Sequence, residues 1–151
     1  MTTETKFTPE YFNGFGREHL PGYLGIVVKR VGPGILDAEL PVLKHLLAPN
    51  GYLHAGSIVT LADTAAGYGC IANLPKNALS FTTIELKSNH LGTARDGLIA
   101  CEARMTHGGK TTQVWDVIVR AVETSQTIAL FRCTQMILYP LQGLPHSVQV
   151  F

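Results

Sequence analysis

The stretch from Ala48 to Gly69, APNGYLHAGSIVTLADTAAGYG, decides the architecture of this chain. From Ala55 to Leu74, Ile58, Leu61, Ala62, Ala65 and Gly69 recur at helical spacing, and Pro75 stops the run. No other long helix is predicted. Ala62, Ala65, Ala66, Gly67 and Gly69 leave the helix little bulk, and each glycine costs about 1 kcal/mol relative to alanine. A helix accepts such a cost where another element approaches closely, so this one is expected to lie buried against a sheet.

Upstream, LGIVVKRV, the break Gly32-Pro33-Gly34 and ILDAELPV read as two strands of a hairpin. Downstream, four extended segments follow: ALSFTTIELKSNHL, GLIACEARMTHG, TTQVWDVIVRAVE and TIALFRCTQMILYP. Alternation is clear in two of them. Leu98, Ala100, Glu102 and Arg104 oppose Ile99, Cys101, Ala103 and Met105, and Val114, Asp116, Ile118 and Arg120 oppose Trp115, Val117 and Val119. Two strands, one buried helix and four more strands predict an α+β fold, an antiparallel sheet of about six strands wrapped round one long central helix. Residues 1–22, punctuated by Pro9, Gly14, Gly16, Pro21 and Gly22, read as a loose arm with at most one short helix; 23–140 form one domain and 141–151 a surface tail.

Composition narrows the function. Hydrophobic residues make up 46% of the 151, enough for one core. Charged residues are only 15% against about a quarter in ordinary soluble domains, which points to self-association. The net charge of +1 comes without long runs of either sign, so a nucleic acid or membrane partner is not expected. Cys70, Cys101 and Cys133 are odd in number and form no CxxC, arguing against a disulfide framework and a zinc site. The six histidines are scattered without an i, i+4 pair, and no metal is expected. The N-terminus has no basic patch before an apolar run, and no stretch reaches the roughly 18 apolar residues of a span. A cytoplasmic protein is the expectation.

Asp63 lies nine positions after His54, about two and a half turns into the helix. A carboxylate in an apolar, small-residue helix is expensive to bury unless bonded or functional, which makes it the best candidate for catalysis. The N–H groups of Ala55, Gly56 and Ser57 open the helix and carry its positive dipole end, suited to a developing oxyanion. Structural readings stand beside these: Asp63 could bond Thr60, Thr64 or a strand, His54 could hold its loop, Asn50 could serve the Asn50-Gly51 turn, and Ser57 could cap. No Gly-x-Ser-x-Gly elbow occurs.

The segment GYLHAGSIVTLADTAAG, with SFTTIELKSNHLGTARDGLIACEARMTHGGKTTQVWDVIV after it, resembles the His-Gly-Gly helix signature of hotdog-fold acyl-CoA thioesterases, the phenylacetate-degradation and 4-hydroxybenzoyl-CoA type. The resemblance covers most of the chain. It implies hydrolysis of an acyl- or aryl-CoA thioester with no cofactor beyond the CoA of the substrate. It implies Asp63 as general base or nucleophile, the N–H of Ala55 with Gly56 near it as oxyanion donor, His54 as loop former, and Thr83 as a hydroxyl that helps position water. It also implies that carboxylate and helix N-terminus of one site come from two protomers, in a homodimer or a homotetramer built as a dimer of dimers. Arg95, Arg104, Lys110 and Thr111 near the strand turns are candidates for the CoA nucleotide, against a reading as ordinary surface residues. Three departures stand out: Ala55 where the family has Gly, Ala48 where relatives often have Asn or Gln, with Asn50 a displaced substitute, and Asn89-His90-Leu91-Gly92-Thr93 where Asn-Phe-Leu-Arg-Pro is frequent. A non-catalytic acyl-CoA-binding hotdog protein is the alternative.

Overall fold

A computed structural model describes residues 6–141. Strand β1 (Val27–Gly32) and strand β2 (Ile35–Pro41) form the expected hairpin, and helix α3 (Ala55–Ala72) follows two short N-terminal helices. Strands β3 (Ser80–His90), β4 (Leu98–Gly108), β5 (Thr112–Ala121) and β6 (Thr127–Leu138) complete one sheet. Its order is β1-β2-β4-β5-β6-β3, and every pairing is antiparallel. This is the six-stranded sheet and single long helix read from the sequence.

The alternation decides which face meets the helix. Leu36, Ala38 and Leu40 on β2, Ile99, Cys101 and Ala103 on β4, Trp115, Val117 and Val119 on β5, and Phe131 and Cys133 on β6 are buried. Against them lie Ile58, Leu61, Ala62, Ala65 and Ala66 of α3. The outer face carries cross-strand ion pairs instead, Arg30 with Asp37 at 2.7 Å and Arg132 with Asp116 at 2.5 Å.

Close approach accounts for the small residues of the helix. A Cβ built on Gly69 would stand 2.7 Å from the Trp115 ring, and one on Gly67 would stand 3.1 Å from Phe81. Trp115 cannot yield easily, because its indole N–H donates to Gln113 Oε1 at 2.8 Å and Gln113 Nε2 donates to the Asn73 carbonyl at 2.8 Å. Gly69→Ala is therefore expected to destabilise the fold by about 1–3 kcal/mol through overpacking, read as a lowered denaturant midpoint. Gly14→Ala, whose Cβ meets nothing within 4 Å, is the control and should be neutral or slightly stabilising.

The N-terminal arm departs from the expectation of a loose segment with at most one short helix. It forms α1 (Pro9–Phe15) and α2 (Leu20–Leu24), and both belong to the folded body. Thr8 caps α1 by accepting from the Tyr11 N–H, and Pro9 occupies the first turn, where its missing N–H costs nothing. Phe12 is buried and stacks on Tyr68 with ring centroids 4.6 Å apart. The Asn13 side chain bonds both the N–H and the carbonyl of Val28, at 2.8 and 3.1 Å, so a side-chain amide occupies part of the outer edge of β1. The opposite edge strand, β3, pairs only with β6 among the described residues. Its surroundings are exposed and partly apolar, with Leu79, Ile84 and Leu86 open to solvent. The tail read as a surface appendage lies, from residue 142, outside the described residues.

Candidate active site

The loop before α3 is folded by its own polar groups. Asn50 Oδ1 accepts from the Tyr52 N–H at 3.1 Å, and Gly51 takes φ +85°. The side-chain amide oxygen of Asn50 is thus committed to the turn, the role its residue type suggested. The Ser57 hydroxyl donates to the Leu46 carbonyl at 2.9 Å, and the Leu53 N–H donates to the Ala94 carbonyl at 2.8 Å, tying the helix start to the β3–β4 loop.

His54 is the N-cap of α3. Its Nδ1 accepts from the Gly56 N–H at 2.8 Å, and a Cβ on Gly56 would lie 2.9 Å from that nitrogen. Residue 56 is glycine because the imidazole folds back over it. The neutral ring accepts at Nδ1 and so carries its proton on Nε2. The Ser57 N–H donates to the His54 carbonyl at 2.9 Å. Of the first-turn donors, the Ala55 N–H is left without a partner among the described residues. The sequence reading placed Gly56 beside Ala55 as a donor; the structure narrows the free donor to Ala55.

Asp63 sits where the spacing put it, on the side of α3 shared with Gly67 and Cys70, one, two turns further on. Its Oδ1 is buried with no hydrogen-bond partner among the described residues. Thr60, one of the structural partners considered for it, donates instead to the Gly56 carbonyl at 2.8 Å. Burial raises the Asp63 carboxyl above its ordinary value of 3.8, since the charged form loses water without gaining a counter-charge. A half-buried carboxyl with an unspent oxygen is an unusual expense in a helix, and it is available for proton transfer. Thr83 lies half-buried on β3, and its hydroxyl donates to Gln135 Oε1 at 2.7 Å. Gln135 was not singled out from the sequence.

The nucleotide candidates are not brought together in one protomer. Arg95 lies at the N-terminal end of α3, its guanidinium 4.6 Å above the Tyr52 ring. Lys110 and Thr111 lie beyond the other end, in the β4–β5 turn whose neighbour Gln113 bonds Asn73 after the last turn of α3. Arg104 is taken by Glu102, Nε to Oε1 at 2.8 Å on the outer face, and this bond holds the Glu102 carboxyl below its usual range. A cavity of about 250 Å³, lined by Lys29, Asp37, Glu39, Glu102, Ile118 and Arg120, lies on that same outer face, away from Asp63. Burial pushes all three thiols, Cys70, Cys101 and Cys133, up to about 12 and leaves them unreactive.

The sequence pattern of the thioesterase superfamily matches residues 50–128, just over half the chain and the segment that holds this geometry. The chain belongs to the thioesterase superfamily. It is 34% identical over 111 residues to the 1,4-dihydroxy-2-naphthoyl-CoA hydrolase of Listeria monocytogenes serotype 1/2a (strain 10403S), covering 74% of this chain and 89% of that protein. The fold superposes on a thioesterase from Haemophilus influenzae with a TM-score of 0.85 at 26% identity, covering 96% of this chain and 100% of that one. It also superposes on the Escherichia coli PaaI protein from the phenylacetic acid degradation operon, TM-score 0.71 at 25% identity, covering 78% and 83%. The hotdog architecture and the resemblance read from the sequence are borne out, and thioester hydrolysis is the reaction class of this enzyme. No helix among the described residues is long and apolar enough to cross a membrane.

Proposed function

We propose that this thioesterase hydrolyses an acyl-CoA or aryl-CoA ester in the cytoplasm, with Asp63 as general base and the Ala55 N–H as oxyanion donor, in a site assembled from two protomers. The buried, unpartnered Oδ1 of Asp63 carries this reading. Asp63 takes a proton from water as the water oxygen attacks the thioester carbon. The carbonyl oxygen gains charge toward the Ala55 N–H at the positive end of α3. Collapse breaks the C–S bond, and the proton held by Asp63 passes to the departing CoA sulfur.

Helix geometry supports the involvement of a second protomer. Ala55 and Asp63 are eight residues apart on one straight helix, about 12 Å at 1.5 Å per residue, whereas base, water and carbonyl must lie within successive hydrogen-bond distances. That separation along α3 favours a site in which the two groups come from different protomers, as in the hotdog thioesterases the chain resembles. The edge of β3, unpaired among the described residues and eleven residues long with Ile84 and Leu86 exposed, suits two-fold pairing with a second copy. Such an antiparallel arrangement sets the start of one α3 against the middle of the other and turns Arg95 toward the Lys110 and Thr111 end of the second copy, where the CoA phosphates would find cations. The dimer, or a tetramer of two such dimers, is the working unit. The name of the Listeria relative puts a bicyclic aromatic acyl group among the substrates to try first.

The test is thiol release over a panel of short-chain, medium-chain, branched and aromatic CoA esters. Turnover of at least one class is expected; binding of CoA esters by calorimetry with no thiol released from any would overturn the proposal.

A further inference from the structure

The inner face of β6 holds a polar residue that the hydrolytic reading does not use. Gln135 is wholly buried, and its neighbours in the alternation are Cys133 and Ile137. A primary amide there costs free energy unless it is bonded, and a hydrophobic residue of similar length would fill the space without that cost. Its bonds show what it is used for. Gln135 faces Thr83 across the β3–β6 ladder, and the Thr83 hydroxyl donates to its Oε1 at 2.7 Å. Its Nε2 donates to Cys133 Sγ at 3.3 Å, a weak acceptor. The strong bond is the one to Thr83.

The packing of α3 on β3 brings Thr83 toward Asp63. Phe81 packs on Gly67; from Gly67 back to Asp63 is one helical turn, about 6 Å, and from Phe81 on to Thr83 is two strand residues, about 6.6 Å. Both steps run toward the same end of the domain, since the start of α3 meets Ala94 beyond the end of β3.

Resting on the reading of Asp63 as base, we propose that Gln135 is a positioning residue: by accepting the single hydroxyl proton of Thr83 it leaves Thr83 Oγ1 as an acceptor toward the site. A hydroxyl has one proton and two lone pairs. With the proton spent on Gln135, the attacking water gives one hydrogen to Asp63 and the other to Thr83, and turns a lone pair to the thioester carbon. Without Gln135 the Thr83 hydroxyl rotates and donates into the site, to water or to Asp63, and the water loses its orientation.

The experiment compares Thr83→Val, Gln135→Met, the double variant and Asp63→Asn in steady-state thiol release, on the best substrate of the panel. Each of the first two is expected to lower kcat by about ten- to a hundredfold with KM changed less than about threefold, as for a misplaced reactant. The double variant is expected to match the worse single variant, because the two side chains act as one unit. Thr83→Ser, which keeps the hydroxyl, should retain kcat within about threefold of the parent, a rescue that packing alone does not explain. Effects on kcat that multiply in the double variant, or a Gln135→Met effect confined to thermal stability, would overturn the proposal. If Gln135→Met does not fold, Thr83→Val with unchanged kcat overturns it equally. Failure of the underlying reading has a separate signature, undiminished turnover in Asp63→Asn.

Discussion

Asp63→Asn is expected to lower thioester turnover by about 10²- to 10⁴-fold, the usual worth of a positioned general base, while raising stability at neutral pH. The two effects share one cause. Asp63 Oδ1 is buried without a partner among the described residues and burial raises its carboxyl, so the ionised form that catalysis needs is the form the fold disfavours. The sign follows from linkage. A carboxyl whose folded value lies above its unfolded value leaves stability intact below the unfolded value, and stability is lost as pH rises through the interval between the two. The asparagine variant has no such loss, so chemical denaturation should show the gap between variant and parent opening with pH across that interval and then holding constant. In the active parent, the acid limb of kcat/KM should lie above the ordinary carboxylate value of 3.8, because the base works only when ionised. A variant less stable than the parent at pH 7 would mean that Asp63 is a structural carboxylate after all.

Ala55→Pro is expected to cost about 10²–10³ in kcat, the measured scale for removing one oxyanion donor. Proline there should leave the helix intact. Residue 55 is the first of α3, a position that proline favours, and His54 before it already lies at φ −66° and ψ 135°, the extended region that a following proline requires. The substitution therefore deletes an N–H while keeping the His54–Gly56 cap. Ala55→Gly keeps the N–H and removes only a methyl group, so it should retain activity within a fewfold and separates loss of the donor from crowding. Matching melting temperatures in the three proteins, with turnover lost only in the proline variant, is the expected pattern.

What could be read in the sequence followed from periodicity and residue type. Ile99, Cys101 and Ala103 alternate with Ala100, Glu102 and Arg104 because one face of β4 meets the helix and the other meets water. The crowding of small residues in α3 announced a close neighbour, but not that Trp115 meets Gly69, since that pairing spans 46 residues of chain and is fixed by strand register. The arm reads in sequence as loose with at most one short helix, although Thr8 before Pro9 is a helix-start signal; what makes the arm part of the body is the burial of Phe12 and the bonds of Asn13 to Val28, both tertiary. Within the site, Asp63 was legible as an ionisable group in an apolar helix. Gly56 was credited with a free donor because the rotamer that brings His54 Nδ1 onto it leaves no trace in the sequence. Gln135 did leave one, a polar residue at an inward position between Cys133 and Ile137, and breaks of that kind in a strand pattern mark sites.

The central claim is that Asp63 of one protomer and the Ala55 N–H of another serve one thioester, and co-expression tests it directly. Chains carrying Asp63→Asn and chains carrying Ala55→Pro, each with its own affinity tag, are purified through both tags and assayed for thiol release. A dimer with one of each holds one site with both lesions and one with neither, so about half of the parent activity per dimer is expected, well above either variant alone. Activity no greater than that of the two variants assayed separately would show that both groups belong to the same chain's site and would contradict the two-protomer account.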